Sequence, residues 1–345
     1  MKIKVNNSNQ AEWSEVIVKS TMPPGLEKLQ EIAHNIWWSW NPEAMNLFRE
    51  VEPECEACGG NPIVMLENTV YTHLEELAAN PAFMTRLNDV YSDFRNYMDE
   101  PVNKSIPSVA YFSMEYGLTD ILKIYSGGLG VLAGDYLKEA SDCNVNMVAI
   151  GFLYRNGYFT QALTVEGQQI AIYEPQNFNM LPLEQLKDAN GKPFVLTLDF
   201  PGYTVYCNVW QVSVGRVPLY LLDTDHPHNS EYDRQITAQL YGGDWENRLK
   251  QEFLLGIGGI QLLNALGIKK QVYHCNEGHA ALINVQRLVD LIQKERLNFS
   301  QALEVIRASG LYTVHTPVPA GHDQFEEGLF AKYMSAFPAK LGISW

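Results

Sequence analysis

The sequence is poor in positive charge. Its 345 residues include 25 lysines and arginines against 40 aspartates and glutamates, which gives a formal net charge of −15. Binding to nucleic-acid phosphates or to an anionic membrane surface requires an excess of lysine and arginine. We therefore expect neither a nucleic acid nor a membrane as a partner, although a local basic pocket for a small anion is compatible with this charge.

Long apolar runs and a cysteine framework are also missing. No stretch approaches the roughly 18 uninterrupted apolar residues of a membrane-spanning helix, and residues 1–8 lack the apolar core of a signal peptide. The five cysteines are odd in number and irregularly spaced, which is typical of a reducing compartment. Cys55 and Cys58 have the spacing of half a zinc site without two further ligands. We therefore expect a cytoplasmic protein without a metal.

Residues 1–104 are predicted to form a small helical domain. Apolar residues between Leu26 and Phe48 recur at three- and four-residue spacing, which predicts one amphipathic helix. More helix follows from Tyr71 to Met98, with a break at Pro81, and the polar residues 99–107 mark the domain boundary.

The tryptophans Trp37, Trp38 and Trp40 are conspicuous in the first predicted helix. Large aromatic side chains usually fill cores, and we favour that interpretation. A platform for stacking carbohydrate rings is the alternative.

Residues 105–345 have the alternation of short apolar runs and helical patterns that is typical of α/β folds. Predicted strands are Val109–Phe112, Val145–Ile150, Gln271–Cys275 and Leu311–Val314, and predicted helices follow Gly130, run from Asp244 to Leu266, and run from Ser300 to Ser309. Residues 190–224 differ, because closely spaced runs joined by Pro201-Gly202 and Gly215-Arg216 predict an antiparallel β insertion.

A glycine-rich segment joins the first of these strands to its helix. Gly127, Gly128 and Gly130 interrupt an apolar, helix-forming run. Glycine allows a ligand to approach the backbone closely, and the free N–H groups that begin a helix suit a phosphate or a sugar hydroxyl. A plain tight turn is the alternative for such a motif.

Polar residues follow three of the predicted strands. They are Glu115, the Asn276–His279 turn and the segment from His315 to Asp323. In open parallel sheets, ligands bind outside the carboxyl ends of the strands. We therefore expect these three clusters and the glycine segment to converge on one cleft.

Four motifs, in order along the chain, resemble those of the glycogen/α-glucan phosphorylases. They are Tyr111–Gly117 with Ser126–Gly134, Ile236–Asp244 with Arg248–Phe253, His274–His279, and Tyr312–Pro319. The helical first hundred residues resemble the extra N-terminal domain of the shorter bacterial and archaeal-type enzymes. The resemblance implies an α/β, Rossmann-like N-terminal lobe of a glycosyltransferase-B fold, and an enzyme that uses phosphate to release glucose 1-phosphate from terminal α-1,4 bonds with retention.

The resemblance also implies roles for individual residues. It places His315, Thr316 and Glu115 at the catalytic centre, and Tyr241–Asp244 in a loop that gates the cleft. The expected substrate- and phosphate-binding residues are Gly127, Gly128, Leu129, Gly130, Asp244, Asn276, Glu277 and His279. Gly128 is further expected to contact pyridoxal 5′-phosphate, the family's cofactor, and the implied partners are an α-1,4-glucan and inorganic phosphate.

The family's Schiff-base lysine and its basic phosphate-binding residues belong to a second lobe, for which this chain has no match. We therefore expect the 345-residue chain to be the N-terminal part of a longer enzyme and to be inactive alone. Two other functions stay open, a starch- or glycogen-synthase-like glucosyltransferase that uses a nucleotide sugar, and a non-catalytic glucan-binding module. Homo-oligomerisation is open as well.

Overall fold

A mixed α/β architecture is built around one large sheet. The computed structural model describes residues 21–53, 59–315, 317 and 323–345; Cys55, Cys58 and Thr316 lie outside them. The strands are β1 (Val109–Phe112), β2 (Met147–Phe152), β3 (Thr160–Leu163), β4 (Gln169–Ile172), β5 (Glu184–Gln185), β6 (Val195–Phe200), β7 (Tyr203–Val214), β8 (Val217–Asp223), β9 (Val272–Asn276) and β10 (Gly310–Thr313).

The helices lie before, between and after these strands. They are α1 (Glu27–Ala33), α2 (Pro42–Val51), α3 (Pro62–Asn68), α4 (Tyr71–Ala79), α5 (Pro81–Asp99), α6 (Gly128–Asp142), α7 (Glu231–Arg234), α8 (Trp245–Phe253), α9 (Gly259–Ala265), α10 (Ile283–Gln293), α11 (Phe299–Ser309), α12 (Glu327–Met334) and α13 (Phe337–Leu341). Within the described residues, no helix combines the length and apolar composition needed to cross a membrane.

The centre of the sheet is parallel, as the alternation of strands and helices predicts. The strand order is β10-β9-β1-β2-β8-β7-β5, with β6 also paired to β7, and the five strands from β10 to β8 run parallel. Strand β2 is buried along its whole length, which is typical of a strand covered on both faces. The carboxyl ends of β1, β9 and β10 therefore lie side by side at one edge.

The predicted antiparallel strands are present as β6, β7 and β8. They do not form a separate sheet, because β8 pairs in parallel with β2 and so extends the central sheet. The exposed hairpin of β3 and β4 was not predicted, because its strands are short and lack a regular apolar alternation.

The helical region has its own hydrophobic cluster, formed by residues between Leu26 and Phe94, while the sheet and its helices form a second cluster. Trp37 and Trp38 are buried in the first cluster, as the core-filling interpretation requires. The domain boundary near residue 104 stays a prediction.

The prediction of one helix from Leu26 to Phe48 is wrong. α1 ends at Ala33, a 3₁₀ turn covers Ile36–Trp40, and α2 begins at Pro42. Asn35 adopts an extended conformation, and its side chain accepts a bond from the Trp37 N–H and exchanges two bonds with the backbone of Gly215. The helix breaks here because the Asn35 amide attaches the helical region to the β7–β8 turn.

The helix predicted from Asp244 to Leu266 is present with one irregularity. Asp244 caps α8, and a π-helical turn at Leu254–Gly258 separates α8 from α9. Helix α10 buries the polar residues Gln286 and Arg287 beside the apolar residues Ile283, Leu288 and Val289. A hydrophobic pattern alone does not predict buried polar residues of this kind.

Candidate functional site

Hydrogen bonds join the ends of the three neighbouring strands β10, β9 and β1. An imidazole nitrogen of His315, Nε2, lies 2.8 Å from Asn276 Oδ1, and the Asn276 amide donates to Ser113 Oγ at 3.2 Å. Ser113 Oγ in turn donates to the Glu115 carbonyl at 2.9 Å. Since Ser113 and Asn276 are fully buried, these bonds hold His315 and Glu115 in fixed positions relative to one another.

Glu115 connects the glycine segment to the loop before α8. Its side chain is buried, with 2% of the residue exposed, and it accepts a bond from the Ser126 N–H at 2.8 Å. The hydroxyl of Tyr241 donates to the other carboxylate oxygen. Burial, and next the negative charge of Glu115, raise the pKa of Tyr241 far above its usual value, so this hydroxyl keeps its proton. The Glu115 carboxylate thus links the glycine segment to Tyr241 through two hydrogen bonds.

The helix after the glycine segment begins earlier than predicted. Gly127 is the N-cap residue of α6 and Gly128 opens the helix, so Gly128, Leu129 and Gly130 form its first turn instead of a loop. No side chain of the described residues caps this end, and the first N–H groups of a helix have no partner within it. The start of α6 is therefore open to an external acceptor.

The three glycines have different surroundings. A Cβ on Gly130 would lie 2.5 Å from Tyr125 Cβ and 3.0 Å from a Glu115 carboxylate oxygen, so only glycine fits there. At Gly127 and Gly128 a Cβ would meet no atom of the described residues within 4 Å, and neither residue has a positive φ. Protein packing explains the glycine at 130, and it leaves the two exposed glycines free for another purpose.

A cleft of about 510 Å³ lies beside this helix start. Its lining combines three of the sequence motifs: Leu129 from the glycine segment, Tyr241–Asp244 with Trp245 and Arg248, and Glu277 with His279, together with Asp323. Trp245 and Tyr241 are 59% and 46% exposed, so aromatic faces border the opening. A cavity of this size with a few polar groups on an apolar wall is the usual form of a small-molecule site.

The charges in the cleft are predominantly negative. Among the described lining residues, Asp244, Glu277 and Asp323 are acidic, and the one lysine or arginine is Arg248. The Nε of Arg248 lies 2.7 Å from an Asp323 carboxylate oxygen and 3.6 Å from Glu252 Oε1. Burial, followed by a hydrogen bond with Asp323, raises the pKa of Glu252 to about 9. The one positive charge of the lining is thus already balanced by a carboxylate.

His279 is uncharged at neutral pH. Burial, and next the positive charge of Arg248, lower its pKa to about 4. A neutral imidazole is what the position before a helix favours. Its Nδ1 is buried and has no hydrogen-bond partner among the described residues, so it can donate to or accept from a bound hydroxyl.

Two residues of the cleft have strained backbones. Tyr241 and Glu277 have φ angles of 57° and 59°, a region that is costly for residues with a side chain. Such strain costs about 1–3 kcal/mol and is frequent at functional sites. The Oε1 of Glu277 accepts a bond from the His315 N–H, which ties the turn after β9 to the end of β10.

The predicted residues fall into two groups. Leu129, Asp244, Glu277 and His279 line the cleft, whereas Glu115, Asn276, Gly130 and His315 are not among its lining residues. Gly127 and Gly128 are exposed and directly precede Leu129 in the chain. Asp244 also caps α8, because its Oδ1 accepts a bond from the Asn247 N–H at 2.8 Å.

Sequence reasoning missed Trp245 and Arg248 as lining residues. Both lie in the segment that follows Asp244, and they are one helical turn apart on α8. Their spacing to Asp244 was the available signal, but it predicted only an amphipathic helix.

Comparisons with known proteins agree with the motifs. A family model described as "Protein of unknown function (DUF3417)" matches residues 22–122. The chain is 42% identical to maltodextrin phosphorylase of Thermococcus litoralis over 332 residues, 93% of this chain and 40% of that protein. It is 39% identical to glycogen phosphorylase of Mycobacterium tuberculosis over 337 residues, 92% of this chain and 39% of that protein. Glycogen phosphorylase of Aquifex aeolicus is 36% identical over 298 residues, 85% of this chain and 42% of that protein.

The chain therefore spans about 40% of the length of the curated relatives that it matches. The resemblance expected from four short motifs extends over most of the chain, because more than nine-tenths of it aligns with two of these enzymes. The chain is a homologue of part of the glycogen and maltodextrin phosphorylases.

Proposed function

We propose that this chain is the N-terminal lobe of an α-1,4-glucan phosphorylase. In the whole protein, inorganic phosphate would cleave the terminal α-1,4 bond of glycogen, starch or maltodextrin, giving glucose 1-phosphate with retention of configuration. Residues 1–104 would be a helical domain, and residues 105–345 would be the first, Rossmann-like lobe of a glycosyltransferase-B fold. The active site would lie between this lobe and a second one.

The observation that carries this proposal is the open helix start beside the cleft. Gly127 and Gly128 have no neighbour among the described residues that would exclude a side chain. A ligand that approaches the backbone of these residues explains why they have no side chain. The N–H groups of the first turn of α6 would then bind phosphate oxygens without exchanging a proton.

A side chain at Gly127 or Gly128 would therefore project into the space beside the cleft and not into the protein. Such a side chain would occupy the position that we assign to the ligand, and the protein itself would tolerate it. The proposal thus separates the effect of a substitution on the ligand from its effect on the fold.

The same helix start fits pyridoxal 5′-phosphate, because an uncapped first turn with exposed glycines can accept a phosphate-bearing group. Gly128 would contact the cofactor through its backbone. The cofactor, when bound, supplies the chemistry of its phosphate group. The cleft lining itself has an excess of carboxylates, so further cations are needed to hold two phosphates together, and the family has them in its second lobe.

The rest of the cleft suits the sugar. Asp244, Glu277 and the neutral His279 offer hydrogen-bonding groups for hydroxyls, and Trp245 and Tyr241 offer faces for the apolar side of a glucose ring. His315 would present its backbone carbonyl to the transferred glucose, where a fixed dipole stabilises the positive charge that develops at the anomeric carbon. Its hydrogen bonds to Asn276 and Glu277 keep that dipole in place.

A chimaera tests the proposal directly. This chain would replace the matching 40% of Thermococcus litoralis maltodextrin phosphorylase, and the purified chimaera would be assayed for glucose 1-phosphate with maltodextrin, phosphate and pyridoxal phosphate. We expect phosphate-dependent release of glucose 1-phosphate, and no transfer of glucose from ADP-glucose. A folded chimaera that transfers glucose only from ADP-glucose would instead favour a glucosyltransferase.

The isolated chain provides the matched control. We expect no glucose 1-phosphate from it under the same conditions, since Arg248, the one lysine or arginine among the described lining residues, is already paired with Asp323. Release of glucose 1-phosphate by the isolated chain would contradict the proposal that activity requires a second lobe.

A further inference from the structure

A second cavity lies at the opposite end of the parallel strands, away from the cleft. Its volume is about 500 Å³, and it is bordered by the segment before β9 and by α9, α10 and α11. Its lining includes the side chains of Arg287, Lys269, Lys270, Tyr273, Asp290 and Lys294. Neither the sequence motifs nor the proposed function uses this cavity.

Arg287 is a buried cation without an anionic partner among the described residues. Only 7% of the residue is exposed, its guanidinium lies 3.9 Å from the centre of the Tyr273 ring, and Nη2 donates to Ser309 Oγ. Its Nη1 is fully buried and has no hydrogen-bond partner among the described residues. Burial lowers the pKa of Arg287 to about 10, yet at neutral pH the side chain stays charged.

Asp290, one of the two acidic residues that line this cavity, is not available to Arg287. Asp290 accepts from Lys294 at 2.9 Å, from Asn264 at 2.7 Å and from Gln286 at 3.2 Å. No ion pair between Arg287 and a carboxylate occurs in the part of the chain that the structure describes. A buried charge without a partner is costly, so an anion from outside the described residues would be bound favourably here.

The cavity has a positive lining in a chain that is otherwise acidic. Arg287, Lys269, Lys270 and Lys294 face two carboxylates, those of Asp290 and Glu295, whereas the whole chain has a net charge of −15. Since Lys294 is paired with Asp290, Arg287 and the two lysines before β9 remain against Glu295 alone, which leaves a surplus of positive charge. More than one cation around a single small cavity favours a doubly charged anion over a single carboxylate.

We propose that this cavity binds a small phosphate-bearing anion, either inorganic phosphate or a phosphomonoester. Arg287 Nη1 donates to a phosphate oxygen, and the ammonium groups of Lys269 and Lys270 balance the remaining charge. Lys270 keeps its charge for this purpose, because its hydrogen bonds go to the neutral side chain and carbonyl of Asn146. The planar guanidinium matches the geometry of phosphate oxygens, and its stacking on Tyr273 holds it in orientation. The site is distinct from the open start of α6, and it does not rest on the proposed function.

Binding of inorganic phosphate to the 345-residue chain tests the site. Affinity is measured by equilibrium dialysis at constant ionic strength for the wild type, for Arg287→Met, and for Arg307→Met, an exposed arginine of α11 that is paired with Glu304. We expect R287M to bind phosphate at least tenfold more weakly and R307M to bind it like the wild type. Unchanged binding by R287M would overturn the proposal, as would acetate binding as tightly as phosphate.

Stability without phosphate provides a second readout. Removing a buried cation that lacks a partner should leave R287M at least as stable as the wild type in phosphate-free buffer, and R287M should lose the stabilisation that phosphate gives the wild type. If R287M does not fold, Lys269→Met removes an exposed charge from the same lining. It should weaken phosphate binding by about fivefold, the effect of one nearby charge near water, and unchanged binding by K269M would then refute the site.

Discussion

The same small substitution should affect stability at one glycine of the first turn of α6 and activity at another. Gly130→Ala places a methyl group 2.5 Å from Tyr125 Cβ and 3.0 Å from a Glu115 oxygen, while Gly128→Ala places it where no atom of the described residues lies within 4 Å. The first change tests packing behind the cleft, and the second tests the surface that we assign to the ligand.

The magnitudes follow from these distances. Overpacking a well-filled region costs about 1–3 kcal/mol, and the better helix propensity of alanine returns at most about 1 kcal/mol. Gly130→Ala should therefore lower the free energy of unfolding by about 1–2 kcal/mol. Gly128→Ala should change it by less than about 0.5 kcal/mol, as surface substitutions usually do.

Urea unfolding of the 345-residue chain measures both changes in the free energy of unfolding. Phosphorolysis by the chimaera described above measures the effect of Gly128→Ala on activity. In the chimaera, Gly128→Ala should lower kcat/KM by about 100-fold, because a displacement of about 1 Å at a reacting group has an effect of that size. Loss of activity without loss of stability is the expected signature of a backbone that faces a ligand.

Either of two results would refute this reasoning. If Gly128→Ala were as destabilising as Gly130→Ala, the exposed glycines would serve the fold. If Gly128→Ala left phosphorolysis unchanged while the chimaera was active, no ligand would approach this backbone closely.

Three further predictions concern the core, the cleft and the pH dependence of stability. Lys250→Met breaks the buried ion pair with Asp233, whose Nζ–Oδ1 distance is 2.9 Å, and should lower the free energy of unfolding in urea by about 3–5 kcal/mol. Lys332→Met breaks the more exposed pair with Glu246 and should lower it by less than about 1 kcal/mol. Equal losses would contradict this prediction. Trp38→Ala should lower the free energy of unfolding by about 3–5 kcal/mol without a specific loss of maltooligosaccharide affinity. Trp245→Ala should weaken that affinity and leave stability nearly unchanged. Titration calorimetry with maltooligosaccharide on the folded variants distinguishes the two effects. His279 has a pKa of about 4 in the folded chain against an ordinary 6.5, so the unfolded chain binds the extra proton and stability should fall as pH drops from about 6.5 to 4. In His279→Gln, the fall in the free energy of unfolding between these pH values should be smaller by about 3 kcal/mol. An unchanged slope would show that His279 is not the group responsible.

Much of the fold follows from local patterns in the sequence. The hydrophobic runs of β1, β2, β9 and β10 and the periodic helices between them predicted a parallel α/β sheet, and the sheet has that arrangement. The breaks at Pro81 and after Ser309 were also predicted, because proline and glycine act on the backbone of their own neighbourhood.

The failures occurred where a distant residue decides the local structure. Asn35 breaks a helical pattern because its side chain bonds to Gly215, which is 180 residues away in the chain. The buried side of α10 contains Arg287 because Tyr273 and Ser309 lie opposite it, and no hydrophobic pattern contains that information.

The candidate site divides in the same way. Motif spacing alone indicated that Glu115, Asn276 and His315 would meet at adjacent strand ends, since parallel strands bring their carboxyl ends together. Which of these residues faces the cleft depends on side-chain packing. So does the difference between Gly130, where a Cβ would meet Glu115, and Gly128, where it would meet no atom of the described residues within 4 Å.

The sequence by itself thus determined the element types, the family resemblance and the set of candidate residues, because these depend on composition and spacing along the chain. Only the tertiary structure decided which glycines are open to a ligand, which cations have partners and which walls form the cleft. Those properties depend on distances between residues that are far apart in the chain, and the sequence states no such distances.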